Sequence, residues 1–286
     1  MLGIYSSTAQ EQLPADNVPE VIPFSKNSFK KWAQVRDLTI TPDQQSLFFT
    51  VQDTAARRSD IYEMRRLGPT WGVAKPASFS SEFDDLEPFA SPDGQRIYFA
   101  SSRPDGEEKT GDDFDLWYVE KAGSSWSDPV RLPAPVNGAG NEFYPSVSRK
   151  GNLYFTATRP EGQGKEDIYV AYWDLDHFKT PVPLQGGVNT EGYEFNAYVS
   201  PDESFLVFSG YEYDEGIGSG DLYYSFRQLN GEWSEAIHFP APINSGGLDF
   251  CPWIDYERQK MYFTRKENAE SRLYETNFSY LLETMR

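Results

Sequence analysis

Four carboxylates recur at one place in a repeating pattern. Asp85, Glu142, Glu194 and Asp249 each stand six residues before a turn residue, respectively Ser91, Ser148, Ser200 and Asp255, while Val35 holds the same place before Thr41. Like charges gathered in a partly dry funnel raise each other's pKa or recruit a cation. Arg103 and Arg159 end the strands that follow Asp85 and Glu142 and can pair with them. Glu194 has no such arginine, but Tyr211, Glu212, Tyr213 and Asp214 occupy the adjacent loop. Three chemistries stay open at this ring: salt bridges belonging to the repeat, a cation or polar-ligand site, and a catalytic carboxylate, in that order of expectation. The candidate ligand-binding set is Glu194, Glu142, Asp85, Asp249, Tyr211, Tyr213, Arg103 and Arg159, with no catalytic and no metal-ligating residue assigned. Nearby aromatics (Phe143, Tyr144, Tyr193, Phe195, Tyr198, Trp253) could stack on a sugar or a peptide, although at alternating strand positions such rings more often serve packing.

These residues are positioned by a fivefold internal repeat. Its most visible part is a turn: Thr41-Pro-Asp-Gln, Ser91-Pro-Asp-Gly, Ser148-Arg-Lys-Gly, Ser200-Pro-Asp-Glu and Asp255-Tyr-Glu-Arg. An apolar-aromatic run follows each, Leu47-Phe-Phe-Thr, Ile97-Tyr-Phe-Ala, Leu153-Tyr-Phe-Thr, Leu206-Val-Phe-Ser and Met261-Tyr-Phe-Thr, and reads as a buried strand. The third turn residues, Asp43, Asp93, Lys150, Asp202 and Glu257, are 50, 57, 52 and 55 residues apart, the length of one propeller blade. A third strand recurs at Asp60-Ile-Tyr, Asp115-Leu-Trp-Tyr, Asp167-Ile-Tyr, Asp221-Leu-Tyr and Arg272-Leu-Tyr. A fourth is marked by an aromatic and then Pro or Ala, as in Trp71 with Pro76, Trp126 with Pro129, Phe178 with Pro181 and Trp233 with Ala236. Proline removes a ladder donor, so this strand lies at the outer edge and the strand before the turn lies innermost.

The fifth unit has no fourth-strand signature after its third strand. Val21-Ile-Pro-Phe-Ser resembles the ends of other fourth strands, Val130-Arg-Leu-Pro and Val182-Pro-Leu. The sequence therefore predicts an all-β, five-bladed propeller of four-stranded antiparallel blades, closed by the N-terminal strand in the last blade. Six blades is the alternative count.

The Ser-Pro-Asp-Gly turn, the aromatic strand after it and the Asp-Ile-Tyr strand resemble the PD40 repeats of TolB-like, WD40-like propellers. The resemblance spans roughly Val35 to Asn277. It implies a propeller, usually of six blades in TolB-like proteins, and says little of function.

Antiparallel geometry puts the second-to-third loops and the starts of the inner strands on one face. Those loops are long, as in Arg103 to Asp113, Arg159 to Glu166 and Tyr211 to Gly220, whereas the opposite face has only tight turns. The acidic loop from Asp105 to Asp115 lacks the spacing of a calcium loop.

Familiar hydrolytic machinery is missing. There is no Gly-x-Ser-x-Gly elbow, and the two histidines, His177 in a third-to-fourth link and His238 in an outer strand, fall away from the mouth. One cysteine and two separated histidines make no zinc site of the usual kind. Glu215-Gly-Ile-Gly-Ser-Gly has glycines without the Lys-Ser/Thr of a phosphate loop. The expectation is a non-catalytic binding or scaffold module that recognises a protein, peptide or glycan at the channel mouth. The alternative, by analogy with five-bladed glycosidases, is a glycoside-cleaving enzyme using inner-strand carboxylates.

The chain carries 44 acidic against 26 basic residues, a formal charge of -18, so its field repels phosphate backbones and excludes nucleic acid as an expected partner. No apolar stretch is long enough to span a bilayer. Cys251 is the only cysteine, so no intramolecular disulfide can form, and it reads as a small buried residue. Residues 1–18 read as a disordered N-terminus or the remnant of a secretory signal ending near Ser7-Thr8-Ala9, ahead of one propeller over 19–286. The expected protein is a monomer, periplasmic or secreted, without a cofactor unless calcium or another cation binds weakly at the mouth.

Overall fold

The computed structural model describes residues 19–53, 58–105 and 113–279. The N-terminal signal reading and most of the acidic loop after Asp105 lie outside them.

Five antiparallel sheets form a closed ring, and among the described residues the one helix with both ends in view is the single turn Lys26–Phe29. The inner strands are Val35–Ile40, Asp85–Ala90, Glu142–Val147, Tyr193–Val199 and Leu248–Asp255, in blades 1 to 5. Each leads to a second strand, a third, and a short outer strand. The outer strand Lys75–Pro76 contains the expected Pro76, whereas in the third blade the expected Pro181 lies just before the outer strand Val182–Pro183. Trp71 and Trp126 instead sit in small ribbons that extend the third strand before the chain turns back to the edge.

Blade 5 obtains its outer strand from the other end of the chain. Val21–Pro23 pairs antiparallel with Glu270–Asn277, Val21 opposite Thr276 and Pro23 opposite Tyr274. The Phe24 N–H then donates to the Leu273 carbonyl at 2.9 Å, and the Phe24 ring packs edge-on against Tyr262. The expected closure is observed, and the ring has five blades rather than six.

Second strands read as unbroken apolar runs because both of their faces are buried. Leu47 and Phe49 point into one interblade core, while Phe48 between them points into the core shared by blades 1 and 2. Burying each such side chain stabilises by roughly 1.5–3 kcal/mol, against about 1 kcal/mol net for a ladder hydrogen bond, so packing between blades drives closure.

The repeated turns have a common chemistry. In Ser91-Pro-Asp-Gly, the Asp93 carboxylate accepts from the Ser91 hydroxyl at 2.6 Å and from the Gln95 N–H at 3.0 Å, and Gly94 takes the left-handed conformation at φ 69°. Blade 1 repeats this with Thr41 and Asp43.

Candidate active site

The four carboxylates that begin inner strands are at most 1% exposed. Each accepts a hydrogen bond from the backbone N–H four residues before it: Ser81 to Asp85 (2.6 Å), Gly138 to Glu142 (3.2 Å), Thr190 to Glu194 (2.8 Å) and Ser245 to Asp249 (2.7 Å). Each also has a partner in its own blade. Arg103 pairs with Asp85 at 2.6 Å, Arg159 with Glu142 at 2.8 Å and Arg265 with Asp249 at 2.6 Å. Glu194 has no arginine and instead accepts from the Tyr213 hydroxyl at 2.9 Å and the Thr190 hydroxyl at 2.6 Å. Burial raises the pKa of Glu142, Glu194 and Asp249 against the lowering effect of these partners. In this arrangement the four fasten the link between blades to the strand it feeds. Tyr211 lies apart, 43% exposed, its ring 5.5 Å from that of Tyr193. His238 bonds to Asp221 and Asn244, and His177 is exposed beside Asp176.

Two residues further along every inner strand the backbone breaks register. Asp37, Glu87, Tyr144, Asn196 and Cys251 all adopt positive φ, between 48° and 60°, and a β-bulge follows each. A non-glycine residue in this region costs of order 1–3 kcal/mol, and a bulge re-aims its side chain. These five residues meet at the ring axis and bond to one another across blades.

Arg36 is the centre of that cluster. Its Nε lies 2.6 Å from Oδ1 of Asp37, and its Nη2 lies 2.7 Å from Oε1 of Glu87 in the next blade and 3.5 Å from Sγ of Cys251. Asn196 donates to the same Glu87 oxygen at 3.3 Å and accepts from the Cys251 thiol at 3.3 Å. The Tyr144 N–H donates to Oε2 of Glu87 at 2.7 Å, and the Tyr144 hydroxyl donates to the Pro252 carbonyl at 2.8 Å. The cluster plugs the channel: Asp37 is 1% exposed, Glu87 4%, and the Arg36 side chain 15%.

Two carboxylates thus share one cation away from water, which favours a proton on the pair. Burial, opposed by Arg36 and reinforced by the charge of Asp37, pushes the Glu87 carboxyl up to about 7. Oδ2 of Asp37 is buried and accepts no hydrogen bond. Burial first, then the Asp37 charge, pushes the Cys251 thiol far up, leaving it protonated and unreactive.

On the side of the strand starts, the Arg36 guanidinium stacks on Phe250 at 5.0 Å, and the half-buried Phe143 and Phe195 hold the equivalent positions in blades 3 and 4. At the opposite end of the axis lies an apolar cavity of about 200 Å³, lined by residues of all five blades, among them Phe89, Tyr198 and Trp253. Among the described residues, no three His, Cys, Asp or Glu side chains are arranged to hold a metal ion.

Arg36, Asp37 and Glu87 carry no repeat signature of their own in the sequence, and Cys251 reads there as a small buried residue. One signal was available: the position two residues after Val35, Asp85, Glu142, Glu194 and Asp249 reads Asp, Glu, Tyr, Asn, Cys, and polar types there have no place in a core unless they serve each other.

No protein-family model and no curated protein sequence matches the chain. Solved structures do. The catalytic domain of a GH62 α-L-arabinofuranosidase from Coprinopsis cinerea superposes with a TM-score of 0.54 at 10% identity, over 89% of this chain and 93% of that one. A GH43 endo-arabinanase from Bacillus licheniformis gives 0.55 at 11% identity, over 84% and 92%. A further glycoside hydrolase gives 0.59 at 9% identity, over 84% and 86%. At such identities the likeness shows the fold. The expectation of a non-catalytic scaffold is corrected at this point: the three structures named here, which share the ring over most of its span, are glycoside hydrolases, so the alternative is the reading taken up below.

Proposed function

We propose that the chain cleaves glycosidic bonds, with the axial carboxyls Glu87 and Asp37 as its acid and its second carboxylate. The observation that supports this is the meeting of two carboxylates from adjacent blades at one guanidinium, one of them raised to about 7. Glycoside cleavage needs such an unequal pair, one carboxyl holding a proton and the other charged. Glu87 gives its proton to the leaving glycosidic oxygen as the carbon–oxygen bond breaks. Water makes the new bond to the anomeric carbon, directly or after a covalent step on Asp37, and its proton returns to the pair. Because both carboxyls lie beneath Arg36, a sugar reaches them only as the guanidinium swings toward the rim. Its departure removes a counter-charge and strengthens the proton's hold on Glu87.

The substrate class proposed is the α-L-arabinofuranosides, after the arabinofuranosidase and arabinanase that share the fold. The test measures hydrolysis of 4-nitrophenyl α-L-arabinofuranoside, arabinan and a panel of other aryl glycosides by wild type, Asp37→Asn and Glu87→Gln. Asp37→Asn should lose all activity. Glu87→Gln should lose about 100-fold or more on arabinan yet much less on the nitrophenyl substrate, whose leaving group needs no proton. Wild type that hydrolyses none of the panel, or both variants at wild-type rates, would overturn the reading.

A further inference from the structure

The five strained residues at the axis need partners for their N–H groups, and for three of them the ring supplies the same one. The last residue of each aromatic run (Thr50, Ala100, Thr156, Ser209, Thr264) is a hydroxyl residue in every blade but the second. Three of the four hydroxyls accept from the strained residue of the following blade: Thr264 from the Asp37 N–H (3.2 Å), Thr50 from the Glu87 N–H (3.0 Å) and Thr156 from the Asn196 N–H (3.1 Å). The Ser209 hydroxyl makes no hydrogen bond. Blade 2 has Ala100, whose methyl cannot accept. There the Tyr144 N–H donates to the Glu87 carboxylate at 2.7 Å, the shortest of the four.

We propose that Ala100 is a positioning residue: by withholding the hydroxyl that its counterparts supply, it passes the Tyr144 N–H to Glu87 and so aims that carboxyl along the axis toward Arg36. Oε2 is tied to blade 3 by the amide, and Oε1 is left to receive Arg36 from blade 1 and Asn196 from blade 4. A hydroxyl at position 100 competes for the amide, leaves Oε2 without a donor in a dry site, and frees the side chain to rotate. The groups facing Glu87 are Arg36 and Asp37 from blade 1, Tyr144 from blade 3, Asn196 from blade 4 and Cys251 from blade 5. Only the Tyr144 bond is removed by the change. Because that bond favours the charged carboxylate, its loss raises the Glu87 pKa.

The role at the reacting bond rests on the glycosidase reading; the hydrogen-bond exchange does not. The experiment therefore follows the proton itself. Carboxyl carbons of glutamate are observed by NMR across pH in wild type, Ala100→Ser and Ala100→Thr, with the Glu87 signal assigned by its disappearance in Glu87→Gln. The Glu87 midpoint should rise by about one pH unit in Ala100→Ser, the effect of one backbone donor on a carboxylate. The wild-type Tyr144 amide proton should titrate with that same midpoint and stop doing so in Ala100→Ser. A midpoint that stays or falls, or a wild-type Tyr144 amide that ignores the Glu87 titration, overturns the proposal. The wild-type amide measurement decides even if both substitutions unfold the protein. If hydrolysis is found, the alkaline limb of its pH profile moves with the midpoint; if no glycoside is cleaved but the midpoint moves, the glycosidase reading alone is lost.

Discussion

Oε1 of Glu87 and Nη2 of Arg36 lie 2.7 Å apart across the seam between the first two blades, Glu87 buried in a bulge and Arg36 paired with Thr50 in its own sheet.

Glu87 should make stability fall as pH rises. Its folded pKa of about 7 lies above its ordinary 4.5, so between those values the folded chain binds the extra proton and the unfolded chain does not. The contribution is complete below pH 4.5 and gone above pH 7, amounting to as much as about 3 kcal/mol. Urea unfolding of wild type and Glu87→Gln across pH 4 to 8 should give a difference curve that falls through this window. A flat difference curve would refute it.

Removing the cation should be costly, and more so in base. Arg36→Met leaves Asp37 and Glu87 buried without a counter-charge, a change of about 3–5 kcal/mol. At pH 5 Glu87 already holds its proton and one charge fewer is left unpaired, so the urea midpoint should drop further at pH 8 than at pH 5. Equal drops at both values would contradict the shared-cation arrangement.

Glu194 is held by Tyr213 and Thr190 within its own blade, and Glu194→Gln should act on the fold rather than on a reaction. We expect a loss of about 1–3 kcal/mol in unfolding free energy. Any hydrolytic kcat/KM should change by less than threefold. A variant of full stability whose turnover collapses would return this residue to the active site.

Closure depends on a three-residue strand. Deleting residues 1–24 removes the pairing partner of Glu270–Asn277 and the Phe24 ring, and opens a sheet edge of the kind that templates aggregation. The truncated chain should melt at least 10 °C lower, by the usual conversion of several kcal/mol in a domain of this size, and should aggregate above its transition. A truncation that melts as wild type does would mean that the ring closes by other contacts.

The ring itself is legible in the sequence because its parts are local: a turn, an apolar run and a proline each announce themselves within a few residues. Even the seam is readable, since Val21-Ile-Pro has the form of the strands it substitutes. The axial pair is not legible in the same way. In a regular strand Asp85 and Glu87 point to one side, so the acidic series at the strand starts suggested a ring of like residues at the mouth. The left-handed turn at Glu87 and the bulge after it send its side chain to the axis, while Asp85 stays behind with Arg103. Blade 1 hides its member further, for Val35 breaks the acidic series and Asp37 then looks isolated. What joins Asp37 to Glu87 is a contact over 51 residues made by Arg36, which has no local signature.

The hydroxyl bonds between neighbouring blades also bear on how the chain comes apart. In a linear solenoid each unit leans on its neighbours, and the terminal units, having only one, fray first. Here the bond from the Asp37 N–H to Thr264 joins the first blade to the last, and where the hydroxyl bonds are missing Tyr144 to Glu87 and Cys251 to Asn196 join the neighbours, so the ring has no outermost member from which unravelling can begin. Every blade loses two interfaces when it departs, and the loss of any one strips support from both its neighbours. Unfolding should therefore proceed as one event for the whole circle, and the strain stored at the axis is borne jointly by five seams rather than by the blade in which each strained residue sits.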